Sequence, residues 1–134
     1  NTEEEEKMIN ETKKILDAGI KVSVTCVRVP IFIGHAESIN IELDSPLSDK
    51  QATELLSNFE NISVVDHRKD EGYVTPVEAA GEDKVYVSRI REDNTLENGL
   101  NIWVVSDNLR KGAALNAVQI AEIICRKFPD YLSL

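Results

Sequence analysis

The side chains best suited to chemistry are an arginine and a histidine in Thr25-Cys-Val-Arg-Val-Pro-Ile-Phe-Ile-Gly-His-Ala-Glu-Ser38. Arg28 ends an otherwise apolar strand face, where a guanidinium must be paired or point into a cleft. A guanidinium holds a carboxylate through two parallel hydrogen bonds, and an imidazole titrates near neutral pH. Together Arg28 and His35 would anchor a carboxylate beside an acid–base group. Gly34 allows the backbone before His35 to come close to a neighbour or ligand. On spacing alone, the commoner reading of such a pair near strand ends is structural.

Two further groupings stand beside it. Glu4, Lys7 and Glu11 share one side of a helix, since residues three and four apart are neighbours there. Such a set ordinarily forms a solvated face with intrahelical ion pairs, although Lys7 could serve as a point charge for phosphate. The third grouping is Ser106-Asp-Asn-Leu-Arg-Lys-Gly-Ala-Ala-Leu-Asn-Ala-Val-Gln119, where a polar strand end turns into a helix start rich in small residues. Backbone N–H groups and the Asn108 amide could face a ligand there. Asp107 or Asn108 could equally be a helix cap, and Gly112-Ala113-Ala114 permits close helix packing. Cys26 lies in a strand face without an adjacent base and is a poor nucleophile. His35-Ala36-Glu37 is too thin for a metal site, and His67 reads as a loop residue.

The elements that must position these groups follow from periodicity. Thr2-Glu3-Glu4-Glu5 is a capping box, and Met8, Ile9, Thr12, Ile15 and Leu16 keep helical spacing. A helix over about 3–18 is expected, with Gly19 as a left-handed cap. Lys21 to Pro30 switches to period two and predicts a strand. Ile39, Ile41 and Leu43 alternate with polar residues as a second strand. Ser48-Asp-Lys-Gln51 is another capping box, followed by Ala52, Leu55, Leu56 and Phe59 at helical spacing. Ile62–Val65 reads as a short strand, and the charged stretch from Asp66 to Asp83 as a long surface connection. Lys84–Glu92 and Gly99–Ser106 predict two more strands, with Trp103 half-buried. Asn108 to Lys127 predicts a helix that is apolar nearly all round, so it is buried or covered by another surface. The order implies an α+β fold, a mainly antiparallel sheet with helices packed on one face.

Composition sets the outer bounds. The 134 residues carry 24 acidic and 15 basic side chains, for a net charge of −9. With 42% hydrophobic and 29% charged residues, the chain is of ordinary globular make-up and suits one domain over 1–134. An isoelectric point near 4.7 without a basic stripe argues against nucleic acid. No run reaches the roughly 20 apolar residues that cross a bilayer. Cys26 and Cys125 fit neither a metal spacing nor a disulfide framework and imply a reducing, cytoplasmic setting. Asn1 is not an initiator methionine, so the chain is expected to be part of a longer one.

Taken in order, the segments resemble the C-terminal half of aspartate-semialdehyde dehydrogenase. The likeness rests on Asn10-Glu-Thr-Lys-Lys-Ile-Leu16, on Thr25-Cys-Val-Arg-Val-Pro30 with Gly34-His-Ala-Glu37, on Thr75-Pro76, on Asp83 to Arg91, and on Trp103 to Gln119. It implies reduction of aspartyl phosphate by NADPH to aspartate semialdehyde and phosphate, on the route to lysine, threonine and methionine, in a homodimer. It further implies His35 as catalytic acid–base, Arg28 as the group binding the substrate carboxylate, and Lys7 as the phosphate-binding lysine. Glu4 would contact the substrate amine and Asn108 the nicotinamide cofactor. The nucleophilic cysteine and the glycine-rich NADP-binding domain are expected upstream of Asn1, since neither cysteine here stands at the matching position and no G-x-G-x-x-G occurs. The chain alone is therefore expected to be inactive. Three other readings stay open: a sister enzyme acting on N-acetylglutamyl phosphate, a non-catalytic dimerisation paralogue, and a small amino-acid-binding regulatory domain.

Overall fold

A computed structural model describes residues 1–129. The chain divides into two compact units, Asn1–Pro30 and the residues from Ile31 onward.

The first unit begins with helix α1, Glu3–Ile15. Its start is the expected capping box: Glu5 N–H donates to Thr2 Oγ1, while Thr2 N–H donates to a Glu5 carboxylate oxygen. Four glutamates in the first turn and Lys13 and Lys14 in the last complement the helix dipole. The end differs from expectation. The helix closes at Leu16 in right-handed conformation, and Gly19 is not a left-handed cap. Its N–H donates to Asp17 Oδ1 at 2.6 Å, so an aspartate turn does what a glycine cap would have done.

The strand expected over Lys21–Pro30 is absent; this stretch pairs with no strand among the described residues. Its alternation is nonetheless real, since Val22, Val24 and Cys26 are half-buried between exposed neighbours. Period two records which side chains face inward, but a ladder also needs a partner edge. Here the Cys26 N–H donates to Glu5 Oε1 at 3.0 Å instead.

The second unit is an α+β structure around a four-stranded mixed sheet of order β1-β4-β3-β2. The strands are β1 His35–Glu42, β2 Ile62–Val64, β3 Val85–Asp93 and β4 Gly99–Ser106. β4 runs antiparallel to both β1 and β3, while β2 pairs parallel with β3. Helix α2, Asp49–Ser57, starts at the predicted Ser48–Gln51 capping box. Its Ala52 joins Val87, Ile90 and Leu100 in a buried cluster on one face of the sheet. On the opposite face Val105 packs with Val74 and Ala79, the latter in the single-turn helix α3, Pro76–Ala79.

Three details depart from the sequence reading. The stretch from Asp66 to Asp83 is not merely a surface connection, because Val74 and Ala79 are buried in it. Trp103 Nε1 donates to the Val74 carbonyl at 2.8 Å, and Val74 N–H donates to the buried Ser88 Oγ. Strand β3 is bulged between Ser88 and Arg91, with Arg89 at φ 57°. Two paired N–H groups, of Arg89 and Ile90, converge on the buried carboxylate of Asp66 at 3.0 Å each. The bulge changes parity, so that Val87 and Ile90 both reach the core although they are three residues apart. Finally, the last helix starts with a π-helical turn, Arg110–Ala114, before α4, Leu115–Lys127. Its apolar residues Val118, Ile120, Ile123 and Ile124 are exposed within this chain.

Candidate functional site

His35 is the first residue of β1, opposite Ser106 at the end of β4. That pairing carries the strand farther toward the N-terminus than alternation from Ile39 alone implies. It sets His35 and Glu37 on one face of β1, since side chains two apart point the same way. His35 Nε2 lies 2.6 Å from Glu37 Oε1, and the imidazole is 54% exposed. The short contact joins an exposed ring to a partly exposed carboxylate.

The backbone just before the histidine is held as well. Gly34 has φ 118°, and a Cβ there would fall 2.7 Å from Pro76 Cβ. Glycine is thus required by conformation and by space. The Gly34 N–H donates to Asn108 Oδ1 at 3.1 Å, which brings two of the residues singled out from the sequence into one cluster.

Asn108 is presented by a turn that Asp107 organises. Asp107 is buried, and its carboxylate accepts from the N–H groups of Gly81, Leu109 and Arg110 at 2.8, 2.9 and 3.1 Å. These donors, Gly81 foremost, hold its carboxyl below the usual aspartate range against the opposing effect of burial. Of the two cap candidates, Asp107 is therefore the cap. Asn108 turns its carbonyl oxygen to Gly34 and keeps its amide NH2 as a donor.

The remaining candidates belong to the first unit. Glu4 and Lys7 approach to 3.5 Å on α1, with both side chains more than half exposed. Glu5 is occupied otherwise, accepting from Cys26 N–H and Thr2 N–H, and these bonds lower its carboxyl pKa. Among the glutamates of that turn, Glu4 is thus the one beside the lysine. Arg28 is exposed, and no carboxylate of its unit forms an ion pair with it. The structure brings Gly34, the residue before His35, together with Asn108, and Glu4 together with Lys7. Glu37 was set aside in the sequence with the metal question, although its two-residue spacing on a strand is itself the signal for a shared face.

Chemically, the His35 cluster offers an exposed imidazole with a carboxylate behind it and a carboxamide donor nearby. The Glu4–Lys7 pair and Arg28 offer exposed charges for an anionic ligand with an amine. Neither Cys26 nor Cys125 is in a disulfide. Among the described residues no helix is long and apolar enough to cross a membrane.

Comparison with known proteins identifies the family. Residues 1–111 match the family model described as semialdehyde dehydrogenase, dimerisation domain. An aspartate-semialdehyde dehydrogenase of Aquifex aeolicus is 50% identical over 127 residues, which cover 94% of this chain and 37% of that protein. A crystal structure of aspartate semialdehyde dehydrogenase II from Vibrio cholerae, complexed with ASA, superposes with a TM-score of 0.89 at 45% identity, covering 95% of this chain and 38% of that one. The enzyme of Candida albicans, in a structure with NADP, gives a TM-score of 0.75 at 29% identity, covering 92% of this chain and 42% of its own. The chain thus spans less than half the length of the relatives it matches. With a family model covering most of its length and a sheet that superposes on theirs, it belongs to the semialdehyde dehydrogenase dimerisation-domain family.

Proposed function

We propose that this chain supplies the substrate-facing and dimerisation part of an NADP-dependent aspartate-semialdehyde dehydrogenase, which interconverts L-aspartyl 4-phosphate and L-aspartate 4-semialdehyde with phosphate on the route to lysine, threonine and methionine. The observation that carries this reading is the 50% identity with the Aquifex aeolicus enzyme over 94% of the chain. The exposed His35, Arg28 and Lys7 support it, because an acid–base group and two cations suit a substrate with carboxylate and phosphate ends.

In this reading Arg28 grips the substrate carboxylate through a two-bond fork, Lys7 meets the phosphate, and Glu4 meets the amine. Together they hold the reacting carbon in place, so that attack by a thiol is effectively unimolecular. That thiol comes from residues outside this chain, so the 134 residues alone are inactive. His35 accepts the thiol proton as attack begins and returns a proton as the product forms. The nicotinamide cofactor supplies hydride when bound. Within this chain Asn108 is its contact, and the free NH2 of that side chain fits an amide carbonyl such as the cofactor carries.

The exposed apolar stripe of α4 supports a homodimer or a covering domain, and the setting is cytoplasmic. The test is oxidation of aspartate semialdehyde by the full-length protein with NADP and phosphate. His35→Ala should lower the turnover number by roughly 10² or more. Arg28→Lys should chiefly raise KM, because a point charge cannot form the fork. Wild-type kinetics in His35→Ala, or no activity at all in the full-length protein, would sink the reading.

A further inference from the structure

We propose that Glu37 is the positioning residue for His35: its carboxylate holds the imidazole as the Nε2–H tautomer and leaves Nδ1 as the atom that takes and returns the proton. This rests on the acid–base role proposed for His35 and adds which nitrogen acts and what sets it.

The argument starts from hydrogen-bond capacity. A carboxylate only accepts, and a neutral imidazole donates from one nitrogen and accepts at the other. With Nε2 at 2.6 Å from Glu37 Oε1, the hydrogen of the neutral ring sits on Nε2 and the open lone pair on Nδ1. The geometry is not an accident of two loose side chains. Both residues lie in β1, and their backbones are registered against β4, His35 opposite Ser106 and Glu37 opposite Val104. The residue before the ring is tied by the Gly34–Asn108 bond and by the space Pro76 occupies. With the backbone held on both sides, the remaining freedom is side-chain torsion, and the contact with the carboxylate restricts it.

The pair also suits the charge change. When Nδ1 takes the thiol proton, the S–H electron pair stays on sulfur and the ring becomes an imidazolium carrying N–H at both nitrogens. The neighbouring carboxylate balances that charge and stays deprotonated, and the Nδ1 proton is the one given back. Glu37 touches neither substrate nor cofactor in this scheme and acts through the ring.

Nitrogen-15 resonances of the His35 ring in this chain report the tautomer directly. A ring protonated at Nε2 is expected in the wild-type chain. Glu37→Ala and Glu37→Gln should both lose the single-tautomer signature, the first for want of an acceptor and the second because an amide can accept or donate. In the full-length enzyme Glu37→Ala should lower kcat about 10-fold with KM for aspartate semialdehyde changed less than about twofold, a modest counterpart of removing the orienting carboxylate from a buried catalytic triad. A wild-type ring protonated at Nδ1 overturns the proposal, and so does wild-type kcat in both variants. If Glu37→Ala does not fold, Glu37→Gln carries the test, since it keeps the size of the side chain. Wild-type kcat in the Glu37 variants beside a crippled His35→Ala overturns this inference alone. Full activity in His35→Ala overturns the proposed function itself.

Discussion

The two units of this chain are ordered by different means. Residues 1–30 contain no buried side chain: a helix capped at Thr2 is followed by a stretch that joins no sheet among the described residues and is tied to the helix through the Glu5 carboxylate and the Cys26 amide. From Ile31 onward, a paired sheet has a buried cluster on each face, and carboxylates that are themselves out of water hold its irregular points. The same residue type thus does two jobs. Glu5 ties a segment that has no core of its own, whereas Asp66 and Asp107 correct the path of a segment that does. Local hydrogen bonds specify a conformation, but burial of apolar area supplies most of the stability. The groups read as binding substrate sit in the first setting, and the histidine read as acid–base sits in the second.

Substitutions should separate the two settings sharply. The largest loss is expected at the core of the sheet: Ile90→Ala should lower unfolding free energy by about 2–5 kcal/mol, because the fully buried side chain leaves a cavity. Denaturant titration measures it, and a change near zero would mean the bulge relaxes to fill the gap. Gly34→Ala should cost about 1–3 kcal/mol, since alanine is strained at φ 118° and its methyl meets Pro76. It should also lower activity of the full-length enzyme more than stability explains, as it displaces the backbone ahead of His35.

A smaller effect is confined to acid. The Asp107 carboxyl is held below its ordinary value of 3.8, so its stabilisation is fully present above that pH and lost as pH falls through the lower folded value. Melting temperature followed from neutral pH into this range should fall less steeply in Asp107→Asn than in wild type, from a lower starting point. Parallel slopes would remove Asp107 from the account.

The first unit should respond least. Thr2→Ala should weaken α1 by about 1 kcal/mol, seen as faster amide exchange in its first turn. Leu16→Ala, at a side chain 71% exposed, should stay within about 0.5 kcal/mol. A much larger effect of Leu16→Ala in the full-length protein than in this chain would show that the position is covered there.

Much of the fold was legible because its signals are short-range. Both capping boxes, α2 and the hairpin pair β3–β4 were read from residues within a turn or a strand of one another. The false strand over 21–30 came from the same kind of evidence. Alternation correctly told which residues turn inward, but a ladder requires an edge to pair with, and no alternation reports that. The bulge in β3 was missed because Ser88-Arg-Ile-Arg91 keeps an unbroken strand-like composition. Arg89 is left-handed there, and its N–H and that of Ile90 both donate to Asp66, 24 residues from Ile90 and outside any local pattern. Likewise Val74 looked like part of a charged loop, and it is buried against Ala79 and Val105, with Trp103 packed beside them.

For the candidate site, residue types and their order by themselves determined the chemistry on offer: a histidine after a glycine, an arginine able to fork, a glutamate three residues before a lysine. The tertiary structure decided which of these come together. Gly34 and Asn108 are 74 residues apart and meet only because β1 pairs with β4 and Asp107 turns the chain at its end. Glu37 needed just two residues of separation, yet its contact with His35 depended on the strand beginning at His35 rather than later. A side chain's chemistry is a property of its atoms, whereas its partners are set by strand register, and register is settled by the whole sheet at once.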